Sequence, residues 1–299
     1  MCEDVVLSNT FNNDFIIQFW GVRGNLPVPG LETIRYGGNT CCTTLHIANK
    51  YWLIFDAGSG IKRFAEYLSE SGIKPLSAKL FISHPHWDHI NALPYFDPLY
   101  VKGNELEILI GNDGSMPVEQ LVFGQMHYPH FPITLKELSA TLTFRQLQTE
   151  SFEMDDIKIQ TIRLNHPGFC LGYRIQYQDK SFCYITDNEL PLRNSPDFSQ
   201  AQEDALIQFI DKTDVLLIDT AYFDEEYKVR IGWGHACVSQ VVDIADRANV
   251  ERLCLYHHCP HQKDNDIDLK LSTAQSLLKS KHSKTECLAP REGEKLIIR

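Results

Sequence analysis

The 299-residue chain contains no run of eighteen or more apolar residues, which excludes a segment of the length a membrane-spanning helix needs. Its first stretch, MCEDVVLSNTFNNDF, has neither the basic nor the apolar region of an export signal, so the expectation is a cytoplasmic protein with no membrane partner. There is no CxxC pair. The nine cysteines (positions 2, 41, 42, 170, 183, 237, 254, 259 and 287) are odd in number and irregularly spaced, which argues against a disulfide framework and for a reduced compartment. Positive charge is scarce as well: 28 Lys and Arg stand against 39 Asp and Glu, for a net charge of −11. Affinity for a long nucleic acid depends on phosphate neutralisation, so no large nucleic-acid footprint is expected. The glycine-rich stretches 21–30 and 37–38 are followed by no Gly-Lys-Ser/Thr, which excludes a P-loop. No repeat, low-complexity tract or long linker interrupts the chain, and one domain over 1–299 is expected.

Apolar or alternating runs predict strands at 15–21, 43–48, 51–56, 79–84, 105–111 and 140–147, and again at 157–166, 171–178, 181–187, 214–219, 251–257 and 295–299. Helical patterns fall at 60–71, 115–123, 201–212, 236–248 and 266–281, with Ser199 and Asn265 as N-caps and Gly72 as a C-terminal stop. Helices punctuate strands in both halves. That pattern predicts an α/β architecture of four layers, an αββα sandwich of two facing sheets covered by helices.

The chemistry concentrates in HPHWDH (84–89), four candidate metal ligands in six residues. Packing three histidines and an aspartate after a buried strand is costly without a cation. The chain turns at Pro85 and a helix begins near Asp88, so His84 and His86 can converge on one cation while Asp88 and His89 meet a second. His166, Asp187, Asp219 and His257 also end apolar strands, where a sheet fixes several side chains around one point. Imidazole and carboxylate ligands suit zinc, manganese or iron.

HPHWDH resembles the HxHxDH signature of the metallo-β-lactamase superfamily. IFDAGSG (54–60) resembles the motif before that signature, LNHPG (164–168) the next ligand loop, ITD (185–187) the bridging carboxylate and LYHH (255–258) the last ligand. The resemblance covers nearly the whole chain. It implies two divalent cations, one held by His84, His86 and His166, a second by Asp88, His89 and His257, with Asp187 bridging. His257 is preferred to His258 because it comes first after the strand. Asp56 is expected to accept the outer N–H of a ligand histidine, and Asp219 to do the same for His235.

Three further segments resemble the branch that holds ribonuclease Z and the phosphoribosyl cyclic phosphodiesterases: FWGVRGNLPVPG (19–30) with YGGNT (36–40), LLIDTAYFDEEY (216–227) and GWGH (232–235). The resemblance implies phosphodiester hydrolysis by a water shared between the cations, with Asp88, His235 and Asp219 as catalytic residues and His235 assisting the leaving group. The chain departs from ribonuclease Z in carrying Cys237 after His235, where relatives often have a hydroxyl residue, and Cys259 after the His pair, and in that the 31 residues between Asp187 and Asp219 include no basic, Gly/Pro-rich arm. A transfer RNA is therefore disfavoured, and the expected partner is a small phosphodiester, a cyclic phosphate or cyclic nucleotide. The family resemblance also implies a homodimer. Carbonyl hydrolysis of a lactone, thioester or β-lactam at the same centre is the second reading, and a noncatalytic metal sensor the third. Arg23 and Asn39 are candidates to bring backbone N–H groups to the site, and the HYPHFP run (127–132) reads equally as a pocket wall or a surface connection.

Overall fold

A computed structural model describes residues 14–298, so Cys2 lies outside the described residues. Among the described residues, fourteen strands form two seven-stranded sheets. The first contains β1 (Phe15–Gly21), β2 (Cys42–Ile47), β3 (Tyr51–Phe55), β4 (Ser77–Ile82), β5 (Glu105–Gly111), β6 (Thr141–Leu147) and the last strand, β14 (Lys295–Ile298). The second contains β7 (Ser151–Met154), β8 (Ile157–Arg163), β9 (Leu171–Tyr177), β10 (Lys180–Ile185), β11 (Val215–Asp219), β12 (Arg252–Tyr256) and β13 (Glu286–Leu288). Their orders are β14-β1-β2-β3-β4-β5-β6 and β13-β12-β11-β10-β9-β8-β7. From β3 to β6, and from β10 to β13, neighbours run parallel.

Burial on both faces of inner strands such as β3, β11 and β12 explains their near-unbroken apolar runs. Along β1, Phe15, Ile17 and Phe19 point into the layer between the sheets, where they join Phe55, Phe81, Tyr173, Phe182 and Tyr184. Trp20 points outward against the helix α1 (Ile61–Glu70). Along β11, Val215 and Leu217 face the central layer while Leu216 and Ile218 face outward. Burying each such side chain contributes roughly 1.5–3 kcal/mol before entropy is counted.

The remaining helices are α2 (Trp87–Ile90), α3 (Val118–Phe123), α4 (Gln200–Ile210), α5 (Asp224–Tyr227), α6 (Val238–Arg247) and α7 (Asp264–Ser280). α1 and α3 pack outside the first sheet, and α4, α6 and α7 outside the second. The expected αββα sandwich is the fold observed. Ser199 caps α4, accepting from the Gln202 amide. Asn265 does not cap α7: the helix begins at Asp264, whose carboxylate turns inward to the Arg35 and Tyr36 amides, and Lys263 holds the cap position. Strands β7 and β13 and helix α5 went unpredicted because three or four residues carry too little periodicity to read.

Among the described residues, no helix is long and apolar enough to cross a membrane. Residues 127–130 are exposed, and Tyr128 is 91% exposed, so HYPHFP is a surface connection.

Candidate metal centre

The side chains expected to carry the chemistry meet where parallel strands end. His84 lies two residues past β4, Asp187 two residues past β10, Asp219 closes β11, and His257 follows β12 directly. His166 lies three residues past β8. Three of the strand-end residues, Asp56, Asp187 and His257, have φ of 59°, 47° and 57°. Non-glycine residues rarely adopt this left-handed conformation, and such strain collects at functional sites.

Asp187 is common to three donor groups, the two expected ones and a third that joins it to Asp219, His235 and His257. Ligand atoms of His84, His86, His166 and Asp187 lie within 4.8 Å of one another, and so do those of Asp88, His89, Asp187 and His257. Asp187 Oδ2 faces the first set, 3.6 Å from His84 Nε2 and 3.7 Å from His166 Nε2. Its Oδ1 faces the second, 3.2 Å from His89 Nε2 and 3.0 Å from His257 Nε2. Asp88 Oδ2 lies 3.2 Å from both His89 Nε2 and His257 Nε2. His257 Nε2 therefore belongs to the cluster, whereas His258 Nδ1 lies 3.4 Å from Lys270 Nζ, on the far side of the chain.

Two outer nitrogens, those of His89 and His235, are held by the expected carboxylates. Asp56 Oδ2 accepts from His89 Nδ1 at 2.7 Å and also from the Tyr184 and Ser83 hydroxyls. Asp219 Oδ2 accepts from His235 Nδ1 at 2.7 Å. The ring of His235 stacks on His257 at 4.9 Å. Burial alone would depress His235, but the Asp219 carboxylate reverses this and raises it to about 9. Burial likewise opposes ionisation of Asp88 and Asp187, yet the neighbouring histidines hold both carboxyls well below their usual range.

These residues fit a cation. The Nε2 atoms of His84 and His89 are buried without a hydrogen-bond partner; His84 Nε2 lies 3.6 Å from Asp187 Oδ2, beyond a normal hydrogen bond, and His89 Nε2 lies 3.2 Å from both Asp88 Oδ2 and Asp187 Oδ1. Such orphaned nitrogens are costly unless a metal ion takes up their lone pairs. The mixed imidazole and carboxylate donors suit a divalent transition metal.

The glycine-rich start contributes differently from expectation. Asn25 donates its backbone N–H to Asp88 Oδ2 at 2.7 Å. A Cβ at Gly24 would lie 2.1 Å from the His257 ring, so glycine is required there. Arg23 is fully buried and bonds to the Gly37 and Gln262 carbonyls, while Asn39 bonds to Glu292. Both brace the scaffold instead of serving the site. Cys237 caps α6 beside Asp224 and Gln240, and Cys259 is buried with Tyr222 and Tyr227. Glu189 went unnoticed in the sequence, since no motif marks it. Its carboxylate accepts from Tyr227, Gly232 and Gly234.

The beta-lactamase superfamily domain matches residues 51–258. The chain is 22% identical over 277 residues to the ribonuclease Z of Oceanobacillus iheyensis, covering 78% of this chain and 86% of that protein. It is 24% identical over 286 residues to the ribonuclease Z of Lactococcus lactis subsp. lactis, covering 81% and 88%. Its fold is similar to that of the metallo-β-lactamase fold protein YhfI from Bacillus subtilis, with a TM-score of 0.69 at 17% identity over 96% of this chain and 100% of that one. It is also similar to the short form of human tRNase Z, with a TM-score of 0.63 at 18% identity over 95% and 98%.

The ribonuclease relatives overturn one expectation. A small phosphodiester partner and the absence of a nucleic-acid footprint were inferred from the net charge of −11 and the missing arm, yet the relatives that span most of the chain are named for acting on RNA. Whole-chain charge is a poor guide where bound cations supply the local positive field. With HPHWDH, the shared Asp187 and a domain match over most of its length, the chain belongs to the metallo-β-lactamase superfamily, in its ribonuclease Z-like branch of metal-dependent hydrolases.

Proposed function

We propose that the protein is a metal-dependent phosphodiesterase that cuts RNA. The observation that carries this reading is the pair of donor sets sharing Asp187, with His235 and Asp219 beside them. His84, His86 and His166 would hold one cation, Asp88, His89 and His257 a second, and Asp187 would contribute one oxygen to each; zinc and manganese both suit these donors. When bound, such cations supply Lewis acidity toward a phosphoryl oxygen and lower the pKa of nearby water.

The chain's own residues do the rest. Asp56 fixes the tautomer and orientation of His89, as Asp219 does for His235. With Nδ1 committed to Asp219, His235 keeps only Nε2 to give a proton to the departing alkoxide oxygen, and a pKa raised to about 9 keeps that proton in place at neutral pH. Two indoles next to these residues are unusually open: Trp87 is 74% and Trp233 60% exposed. Arg230 lies 5.9 Å from the Trp233 ring and 5.1 Å from that of Tyr222. Bases of a single-stranded RNA end stack on such surfaces, which an acidic protein needs more than a basic one does. The eight described cysteines are buried free thiols, which supports a reducing, cytoplasmic setting.

The test is cleavage by manganese- or zinc-loaded protein of a precursor transfer RNA with a 3′ extension, alongside cyclic nucleotides and nitrocefin. Cleavage of the RNA, lost on chelation, is the expected result. Turnover of nitrocefin or cyclic nucleotides with intact RNA would overturn the reading.

A further inference from the structure

We propose that Glu189 is a positioning residue that sets His166 and His235 together, by fastening three separate loops into one wall of the site. The inference rests on the metal-dependent reading above for its chemistry, but its geometry is independent of any substrate.

Glu189 follows Asp187 and Asn188 past the end of β10 and is 7% exposed. It belongs to none of the donor sets, so its influence runs through other residues. Its main chain grips the His166 loop: its N–H donates to Asn165 O at 2.9 Å, and its carbonyl accepts from Asn165 Nδ2 at 3.0 Å. Its side chain grips the His235 loop. Oε1 accepts from the Gly232 N–H at 2.7 Å and from the Tyr227 hydroxyl at 2.9 Å, and Oε2 accepts from the Gly234 N–H at 2.8 Å. Burial and the Glu189 carboxylate both push the Tyr227 phenol upward, which keeps it a donor.

The loop so held closes the circuit. The carbonyl of Gly234, in the peptide group that leads into His235, accepts from His166 Nδ1 at 2.9 Å. A Cβ at Gly234 would lie 2.3 Å from that nitrogen, and φ there is +84°, so this contact depends on glycine. One carboxylate thus fixes the carbonyl that orients His166 and the backbone from which His235 projects. Outer acceptors of this kind set the ring orientation and basicity of ligand histidines.

The chemistry calls for a glutamate. All three partners donate, and a carboxylate offers acceptors on both oxygens, whereas glutamine would turn an NH2 group toward a donor. Charge-assisted bonds to both amides make the hold stronger than neutral pairs would.

The experiment uses the full chain with Glu189→Gln and Tyr227→Phe, read in three ways. These are cation affinity by competition with a fluorescent chelator using zinc alone, kcat and KM on bis-p-nitrophenyl phosphate, and thermal unfolding. Glu189→Gln is expected to weaken cation binding about 10–100-fold, the scale of losing an outer acceptor. It should lower kcat more than it raises KM, with Tyr227→Phe shifting both in the same direction by less. In a His235→Ala background the kcat loss should largely vanish, because residues acting as a unit are not additive. Wild-type cation affinity in folded Glu189→Gln, or a kcat loss fully additive with His235→Ala, would overturn the proposal. If Glu189→Gln does not fold, Tyr227→Phe decides by the same readouts. A protein that turns over no phosphodiester fails the functional reading, while the cation affinities still judge Glu189.

Discussion

His257 and His258 are adjacent in the chain and face two buried clusters of opposite character. On the His257 side, Asp88 and Asp187 stand among histidines, two of which, His84 and His89, turn an Nε2 inward with no hydrogen-bond partner. On the His258 side the positive charge belongs to the chain. Lys270 Nζ donates to the Thr220 and Ala221 carbonyls and to Gln262 Oε1, and Arg23 donates to the Gln262 carbonyl while Asp264 lies 3.8 Å away. Burial lowers Lys270 to about 7 and holds His258 well below its usual value. In one cluster donor atoms converge on each other and need an external cation; in the other, acceptors converge on a cation the sequence already supplies. Buried polar groups are thus a sign of metal only when their lone pairs face one another.

The sharpest way to break this contrast is Asp187→Ala. It should abolish both cation retention and turnover, read by metal analysis and by the phosphodiesterase assay, while His258→Ala keeps its metal. Equal metal content in the two variants would erase the distinction. Next in size, His235→Ala should lower kcat by roughly 10²–10⁴, the usual contribution of a general acid, with metal content intact; a parallel loss of metal would move His235 into the donor set.

The second cluster is tested by pH. The folded-state pKa of Lys270 lies at about 7, below its ordinary 10.5, so between those values the unfolded chain binds the extra proton. The Lys270 contribution to stability therefore rises with pH across that window. Denaturant titrations of Lys270→Met should show this rise flattened, and an unchanged slope would mean that the lysine stays charged when folded. The smallest effect is expected at the rim: Trp233→Ala should cost RNA binding about 1–3 kcal/mol, as for one stacked base, and should raise KM for RNA more than for bis-p-nitrophenyl phosphate. Equal changes for the two would remove the indole from RNA recognition.

Much of this was readable because it is local. HPHWDH carries four of the seven donors in one turn, and His166, Asp187 and His257 each follow an apolar strand whose end the composition marks. Asp56 and Asp219 were legible as outer partners because each closes such a strand. His257 could be separated from His258 only weakly by order along the chain; in space a left-handed φ of 57° at His257 turns the two apart. Glu189 was out of reach, since its amide partners lie 43 and 45 residues away and present only backbone. Arg23 and Asn39 misled because a glycine-rich stretch reads the same in sequence whether its polar residues serve the site or bond to the Gly37 and Gln262 carbonyls and to Glu292, as these do.

The left-handed turns at Asp56, Asp187 and His257 also separate what must stay fixed from what is free to vary. Each donor is seated by its strand before the chain changes direction, so residues inserted further along the loop do not pull on it. Lengthening a surface loop costs little, about 0.6 kcal/mol per doubling. The stretch 192–198, between Glu189 and α4 and largely at the surface, is accordingly a grafting point. A basic arm built there would give this acidic chain a grip on longer RNA and leave the geometry around Asp187 as it is.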